Sequence, residues 1–285
     1  MNHAVGIIGL GLLGGAIAAR LVERGRQVVG YDRDPQRRQA AAELGVAVVD
    51  SALAVAESCD VIMLSLPDGT IAADVLTSLA AQLSSQHTIV DTTTAAPEQM
   101  TLQAARARAV GARFIEAEVA GSSAQARRGE VLVFTAGDRA DVAAIEEVLG
   151  CFAAEFHYVG PTGAAARFKL VHNLMLGLHR AVLAEGLTFA ESLGLDAGRT
   201  LELLLRSPAA STAMAVKGAK MAARDFAPQA TVRQHLKDVR LILAAAAGAG
   251  SAVPLSTLHA ELLQRAVDLG HSESDNTAVI EAFRR

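Results

Sequence analysis

Residues 4–25 read AVGIIGLGLLGGAIAARLVERG. A short apolar run breaks into Gly9-x-Gly11-x-x-Gly14 and then into an amphipathic segment. Strand, glycine turn and helix in that order open a dinucleotide-binding βαβ unit. Gly9 permits the tight turn. Gly11 puts no side chain between the backbone and a pyrophosphate, so the anion can meet the helix N-terminus directly. Gly14 lets the helix lie close on the strand, and Leu12 and Leu13 belong to the same cofactor-contacting turn. A second strand, over 26–31, ends in Asp32, which stands 18 residues past Gly14. That spacing suits a carboxylate that accepts hydrogen bonds from a ribose diol. A lone GxGxxG is a weak signal; its flanking strands and this acid give it weight.

Beyond the glycine turn, strand and helix signals alternate through the first 160 residues. Helical segments over 35–44 and 51–58 flank Gly45-Val46-Ala47-Val48. The run 59–66 is a buried strand that stops at Pro67, and strands follow at 88–91, 114–117, 131–134 and 156–159. Repeated βα units predict a doubly wound parallel (Rossmann) sheet covered on both faces. Ligands on such sheets bind at the carboxyl ends of the strands, which places Gly9–Gly14, Asp32, Leu66-Pro67 and Thr92–Thr94 together. From Gly163 the strand signal disappears. One long helix over 164–193 leads out of the sheet, and helices are expected over 196–206, 209–222, 231–249, 255–269 and 274–284. Gly160-Pro161-Thr162-Gly163 is the punctuation between the halves. The expected organisation is therefore an α/β dinucleotide-binding domain over 1–162 and an all-α substrate and oligomerisation domain over 163–285, joined by the long helix.

At 285 residues the chain can bury roughly three quarters of its unfolded surface. A net charge of −4 without a basic run argues against nucleic acid. Cys59 and Cys151 cannot build a disulfide framework and read as buried thiols in a reducing compartment. The N-terminus enters the first strand without room for a signal peptide, and charge interrupts every apolar segment before it could span a bilayer. A cytoplasmic protein with no membrane partner is expected. The eight histidines show no metal-ligand spacing, so no metal site is expected.

Only four lysines occur: Lys169, Lys217, Lys220 and Lys237. Lys169 has the most apolar surroundings. On a helix it shares one face with His172, Asn173 and Leu176. An ammonium and an amide one turn apart can grip a small oxygen-rich molecule, and a partly desolvated lysine suits proton exchange with an alcohol or carbonyl. A lysine snorkelling from an apolar helix to water would look the same in sequence.

Six segments together carry a family resemblance: GLGLLGGAIAARL at the start, LSLPDGT at 64–70, VDTTTAAP at 90–97, AGSSAQARRG at 120–129, GPTGAAARFKLVHN at 160–173 and LKDVRL at 236–241. The chain resembles the β-hydroxyacid dehydrogenases, which include 3-hydroxyisobutyrate dehydrogenase and tartronate semialdehyde reductase. The resemblance implies Lys169 as catalytic acid/base and Asn173 as a substrate-positioning amide. It implies Leu66, Pro67, Thr94 and Lys237 against the dinucleotide, and residues 120–122 against the substrate carboxylate. It also implies a homodimer or homotetramer assembled through the helical half.

Departures from the family pattern are informative. Where its substrate loop reads Pro-Val-Ser-Gly-Gly, this chain reads Glu118-Val119-Ala120-Gly121-Ser122. The hydroxyl is missing at 120 and present at 122, so Gly121 and Ser122 become the candidate carboxylate binders. A family aromatic is replaced by Ala230, suggesting a roomier pocket. His172-Asn173 looks more like the 6-phosphogluconate dehydrogenase version of the helix, yet Leu176 stands where that enzyme carries a second acid. Hydride transfer without assisted decarboxylation follows, with His172 either a substrate contact or a packing residue. Asp32 favours NAD, while Arg33, with Arg37 and Arg38 nearby, leaves NADP possible. The leading expectation is a nicotinamide-dependent oxidation or reduction of a small hydroxy acid. The alternatives are an imine reductase, against which Lys169 argues, and a non-catalytic dinucleotide-binding module.

Overall fold

A computed structural model describes residues 4–284. Eight strands form one sheet in the order β3-β2-β1-β4-β5-β6-β7-β8. They are β1 (Val5–Ile8), β2 (Val28–Tyr31), β3 (Ala47–Val48), β4 (Val61–Leu64), β5 (Thr88–Asp91), β6 (Arg113–Ala120), β7 (Val131–Gly137) and β8 (Ala153–Gly160). Helices α1 (Leu12–Glu23), α2 (Pro35–Glu43), α3 (Ala52–Ser58), α4 (Gly69–Leu79), α5 (Pro97–Ala109), α6 (Ser123–Arg128), α7 (Arg139–Ala144) and α8 (Glu146–Phe152) connect them.

The reversal of strand order at β1 is the doubly wound signature, with β2 and β4 on either side of β1. Successive side chains of β1 point to opposite faces, so Ile7 and Ile8 serve two separate cores. Ile7 packs with Ile17 and Leu21 of α1 and Phe152 of α8. Ile8 joins Val55 of α3, Leu76 and Leu79 of α4 and Met100 of α5. Fully burying such side chains is worth about 1.5–3 kcal/mol each.

The sheet departs from the all-parallel expectation at one place. β6 and β7 pair antiparallel, with Glu118 opposite Phe134. The ten residues from 121 to 130, holding only the short α6, are too few to carry the chain back for a parallel return.

By internal contacts the chain divides after Lys169, inside the 29-residue helix α9 (Ala164–Ser192). The second unit continues with α10 (Ala197–Leu204), α11 (Thr212–Ala222), α12 (Val232–Gly248) and α13 (Pro254–Ala266). Its core gathers Leu183 and Leu187 of α9, Leu236 and Val239 of α12, and Leu263 of α13.

The helix expected over 255–269 ends in a π turn, Val267–His271, and the one expected over 274–284 is a 3₁₀ helix, Asn276–Phe283. Gly270, at φ +93°, breaks the α geometry. Asp275 then pins the next turn: its carboxylate takes Lys217 Nζ at 2.9 and 3.0 Å, Gln229 N at 2.9 Å and Thr277 N at 3.2 Å.

Candidate active site

The glycine turn has the shape that its spacing demands. Gly9 sits at φ +97°, and a Cβ there would lie 2.3 Å from the Ser65 carbonyl oxygen. A Cβ on Gly14 would fall 1.9 Å from the Gly9 oxygen, so the turn and α1 close on each other only as glycines. Gly11 caps α1 without a side-chain bond, and no acid stands in the first turn. The leading N–H groups of α1 therefore remain available to an anion. A Cβ on Gly11 would meet only the Arg37 guanidinium, at 3.5 Å. Leu12 is exposed and Leu13 half-buried beside this opening. These features fit a dinucleotide pyrophosphate.

Asp32 is buried at the end of β2 and ties two loops together. Its Oδ2 accepts from Leu10 N at 2.8 Å and its Oδ1 from Asp34 N at 2.9 Å. Arg37 Nη1 stands 3.5 Å from Oδ2, and Arg38 donates to the Asp32 carbonyl at 2.6 Å. Oδ2 thus takes both Leu10 N and Arg37 Nη1, while Oδ1 retains a second lone pair for a diol. Arg33 is exposed next to it.

At the ends of β4 and β5 the threonine run works as a clasp. Thr92 Oγ1 donates to Leu64 O at 2.8 Å, and Thr93 Oγ1 accepts from Leu66 N at 3.2 Å. Pro67 follows on the surface. Asp91 begins the run fully buried; desolvation pushes its carboxyl up to about 7, against the Thr93 bonds that lower it.

β6 extends past β5, whose last paired residue lies opposite Glu116. Glu116 and Glu118 share one face of the strand, and neither is exposed. Glu116 accepts from the backbone N–H groups of Gly163 and of Ala166, the latter at 2.9 Å, and so anchors the start of α9. Burial pushes the Glu116 carboxyl upwards. Thr94 Oγ1 donates to Glu118 Oε2 at 3.2 Å. Lys169, buried to 7 % exposure, donates from Nζ to the carbonyl of Val119. The lysine is therefore turned inward to β6, which disposes of the snorkelling alternative.

The loop after β6 carries Gly121 and then Ser122, the N-cap of α6. Ser122 N and Oγ both donate to Gln125 Oε1, at 2.9 and 3.1 Å, while Oγ accepts from Gln125 N at 3.2 Å. A capping box thus engages the serine that the sequence nominates for a substrate carboxylate.

In the helical unit, Asn173 is buried and its Nδ2 donates to Asp238 Oδ2 at 3.1 Å. His172 Nδ1 lies 3.2 Å from Asn173 Oδ1, and Lys237 Nζ stands 3.2 Å from Asp238 Oδ1. Asp238, within the LKDVRL segment, escaped the sequence reading as a site residue, and Glu118 entered it only as part of the altered 118–122 loop. Glu118 had a signal: it repeats Glu116 two positions earlier, putting two acids on one face of a largely apolar strand. Deeper in the unit, His235 and His259 lie tilted at 57° to each other with ring centroids 5.1 Å apart. Burial first, and then the charge of Arg180, depresses both imidazoles, His259 to about 4.

Cys59 and Cys151 are both buried free thiols, and burial pushes Cys59 up to about 11, away from reactive thiolate. Among the described residues no three metal-ligating side chains come together, and no helix is long and apolar enough to cross a membrane.

Comparison with known proteins covers both units. Residues 4–160 match the NAD binding domain of 6-phosphogluconate dehydrogenase, and residues 163–283 match the NAD-binding domain of NADP-dependent 3-hydroxyisobutyrate dehydrogenase. An uncharacterized oxidoreductase of Synechocystis is 30 % identical over 98 % of both chains. Glyoxylate/succinic semialdehyde reductase 2 of Arabidopsis thaliana is 28 % identical over 99 % of this chain and 79 % of its own length. The solved 3-hydroxyisobutyrate dehydrogenase of Mycobacterium tuberculosis, described with L-serine, aligns over 100 % of both chains with TM-score 0.88 and 26 % identity.

Proposed function

Because the chain belongs to the β-hydroxyacid dehydrogenase family and has its NAD(P)-binding domains, we propose that it moves a hydride between NAD(P) and a small hydroxy acid, with Lys169 as acid/base. The observation that carries this reading is the inward-facing, buried Lys169, held against the strand that leads into the 120–122 loop.

The nicotinamide, when bound, supplies the hydride acceptor or donor. The N-terminus of α1 and Gly11 bind the pyrophosphate, and Leu12, Leu13, Leu66, Pro67, Thr94 and Lys237 flank the dinucleotide. In oxidation, neutral Lys169 takes the carbinol proton at Nζ; in reduction, the ammonium returns it. Gly121 and Ser122 orient the substrate carboxylate, the serine by exchanging its Gln125 partner for substrate. Asn173, its amide set by Asp238, holds the reacting oxygen with His172 beside it. Fixing these groups in one geometry is the main source of rate. Assaying small hydroxy acids and the matching aldehyde acids with NAD(H) and NADP(H) tests the reading. Turnover of at least one pair supports it; cofactor binding without turnover across the panel favours a non-catalytic module.

Asp32 directs the cofactor choice to NAD, since its carboxylate repels a 2′-phosphate and accepts from a free diol. Calorimetric titration should give tighter NADH than NADPH binding, and Asp32→Ser should narrow that lead. Tighter NADPH binding in the wild type would reverse the assignment.

The chain assembles as a homodimer or homotetramer through α9. Val171, Met175, Val182 and Phe189 are 51–66 % exposed, and the last three recur every seven residues along one stripe. Light scattering should return at least a dimer, and Val182→Glu with Phe189→Glu should give monomers. A monomeric wild type at micromolar concentration would contradict this. The two free, buried cysteines support a reducing compartment such as the cytoplasm.

A further inference from the structure

One face of α9 runs through Asn173, Gly177 and Arg180, at i, i+4 and i+7. Past Asn173 that face takes no part in the mechanism above, yet it meets a polar patch inside the helical unit. Arg180 is 9 % exposed, His235 of α12 7 % and His259 of α13 2 %. The two rings reach α9 at Gly177, where an added Cβ would lie 2.7 Å from His235 Nε2 and from His259 Cε1. Arg180 stands about one turn further along, and its charge acts on both rings. Arg180 Nε, His235 Nε2 and His259 Nε2 are all buried without a hydrogen-bond partner.

The charges around this patch do not cancel. Two carboxylates bear on Arg180, those of Asp275 and Asp238. Each is already engaged by a lysine. Asp275 takes Lys217 Nζ at 2.9 and 3.0 Å. Asp238 has Lys237 Nζ at 3.2 Å from Oδ1 and Asn173 Nδ2 at 3.1 Å from Oδ2. With those pairs neutral, the positive charge of Arg180 is left over. Burial pushes its guanidinium down to about 10 in spite of both acids, so it stays charged at neutral pH. A buried charge is costly unless it is paired and hydrogen-bonded.

We propose that Arg180, His235 and His259 form a binding site for one small monovalent inorganic anion, such as a halide, in the core of the helical unit. The anion accepts from Arg180 Nε and from the two imidazoles, each of which presents N–H at Nε2 in one of its tautomers. It neutralises the guanidinium and ties α9 to α12 and α13. Water would satisfy the N–H groups but leave the charge. A divalent anion would exchange an unpaired positive charge for a negative one. Near-complete burial of all three side chains favours an ion of one or a few atoms. The site stands apart from the hydroxy-acid reading and is tested without any substrate.

Chloride is the probe, exchanged for the bulky gluconate at neutral pH and constant ionic strength, and thermal unfolding is the readout. Replacing gluconate by about 200 mM chloride should raise the wild-type Tm by about 2–4 °C, as a ligand held only by the folded state does. Arg180→Leu should melt at one temperature in both salts, because constant ionic strength removes screening as a cause. Crystals of the wild type soaked in bromide should show an anomalous peak beside Arg180 and the two imidazoles. A wild-type Tm indifferent to chloride, or an equal rise in Arg180→Leu, would overturn the proposal. If the variant does not fold, the wild type decides, and both the chloride shift and the bromide peak at Arg180 are required. A peak without the shift marks an adventitious ion only and overturns the proposal, as does a shift with the peak elsewhere.

Discussion

Lys169→Met should keep the fold and the cofactor affinity and lose most of its turnover, about 10²- to 10⁴-fold in kcat, the span commonly supplied by a positioned proton donor. Methionine retains the length and apolar stem of a side chain that is 7 % exposed, so packing against β6 survives. What disappears is the Nζ that bonds the Val119 carbonyl and that is proposed to exchange the carbinol proton. Lys169→Arg should rescue little, because a guanidinium does not give up its proton near neutral pH. The wild-type oxidation should rise with pH through one ionisation that the methionine variant lacks. Near-wild-type turnover in that variant on a verified substrate would remove lysine from the chemistry.

A second large effect concerns stability rather than rate, and should appear on acidification. His235 and His259 lie between α9, α12 and α13, and the Nε2 atoms of both are buried without a hydrogen-bond partner. Gly177 of α9 makes the room: a Cβ there would lie 2.7 Å from His235 Nε2 and from His259 Cε1. Burial and then Arg180 hold both rings neutral, His259 down to about 4 from the ordinary 6.5. A group with a depressed folded-state value leaves stability intact above the unfolded value and withdraws it as the pH falls. The window therefore opens below pH 6.5 and extends to about 4 for His259. Over that range His259 alone removes about 3 kcal/mol, and His235 adds to it in the same direction. Urea unfolding should show the wild type losing stability between pH 7 and pH 4.5 far faster than His235→Leu/His259→Leu. Parallel losses in the two proteins would refute the assignment.

Local signals carried most of the fold. The first turn was legible because Gly9 and Gly14 are sterically required where they stand, and periodicity marked the strands that feed the two cores. The antiparallel β6–β7 pair was missed because each strand was read for itself. The ten-residue gap between them held the information, since a parallel return needs more chain. The terminal 3₁₀ turn starts from Asp275, whose partner Lys217 lies 58 positions away. No local window contains both.

Among the candidate site residues, Lys169 and Asn173 were nominated because one helical turn separates them. Asp238, 65 positions from Asn173, became visible only through the fold. Ser122 illustrates the converse. Its hydroxyl was read as a substrate donor, while the structure gives it a local occupation as the cap of α6. Glu118 was seen as part of an altered loop, but its burial next to Val119, whose carbonyl Lys169 bonds, follows from β6 running beyond β5, which is a property of the sheet.

Hydride transfer itself is the central claim, and isotopic labelling tests it most directly. The protein is incubated with NADH or NADPH carrying deuterium at C4 of the nicotinamide, together with small aldehyde acids, and the products are examined by mass spectrometry. The account predicts one deuterium on the new carbinol carbon of a hydroxy acid, formed by wild type and largely absent with Lys169→Met. Products without label, or cofactor that binds and is never oxidised by any aldehyde acid, would contradict it.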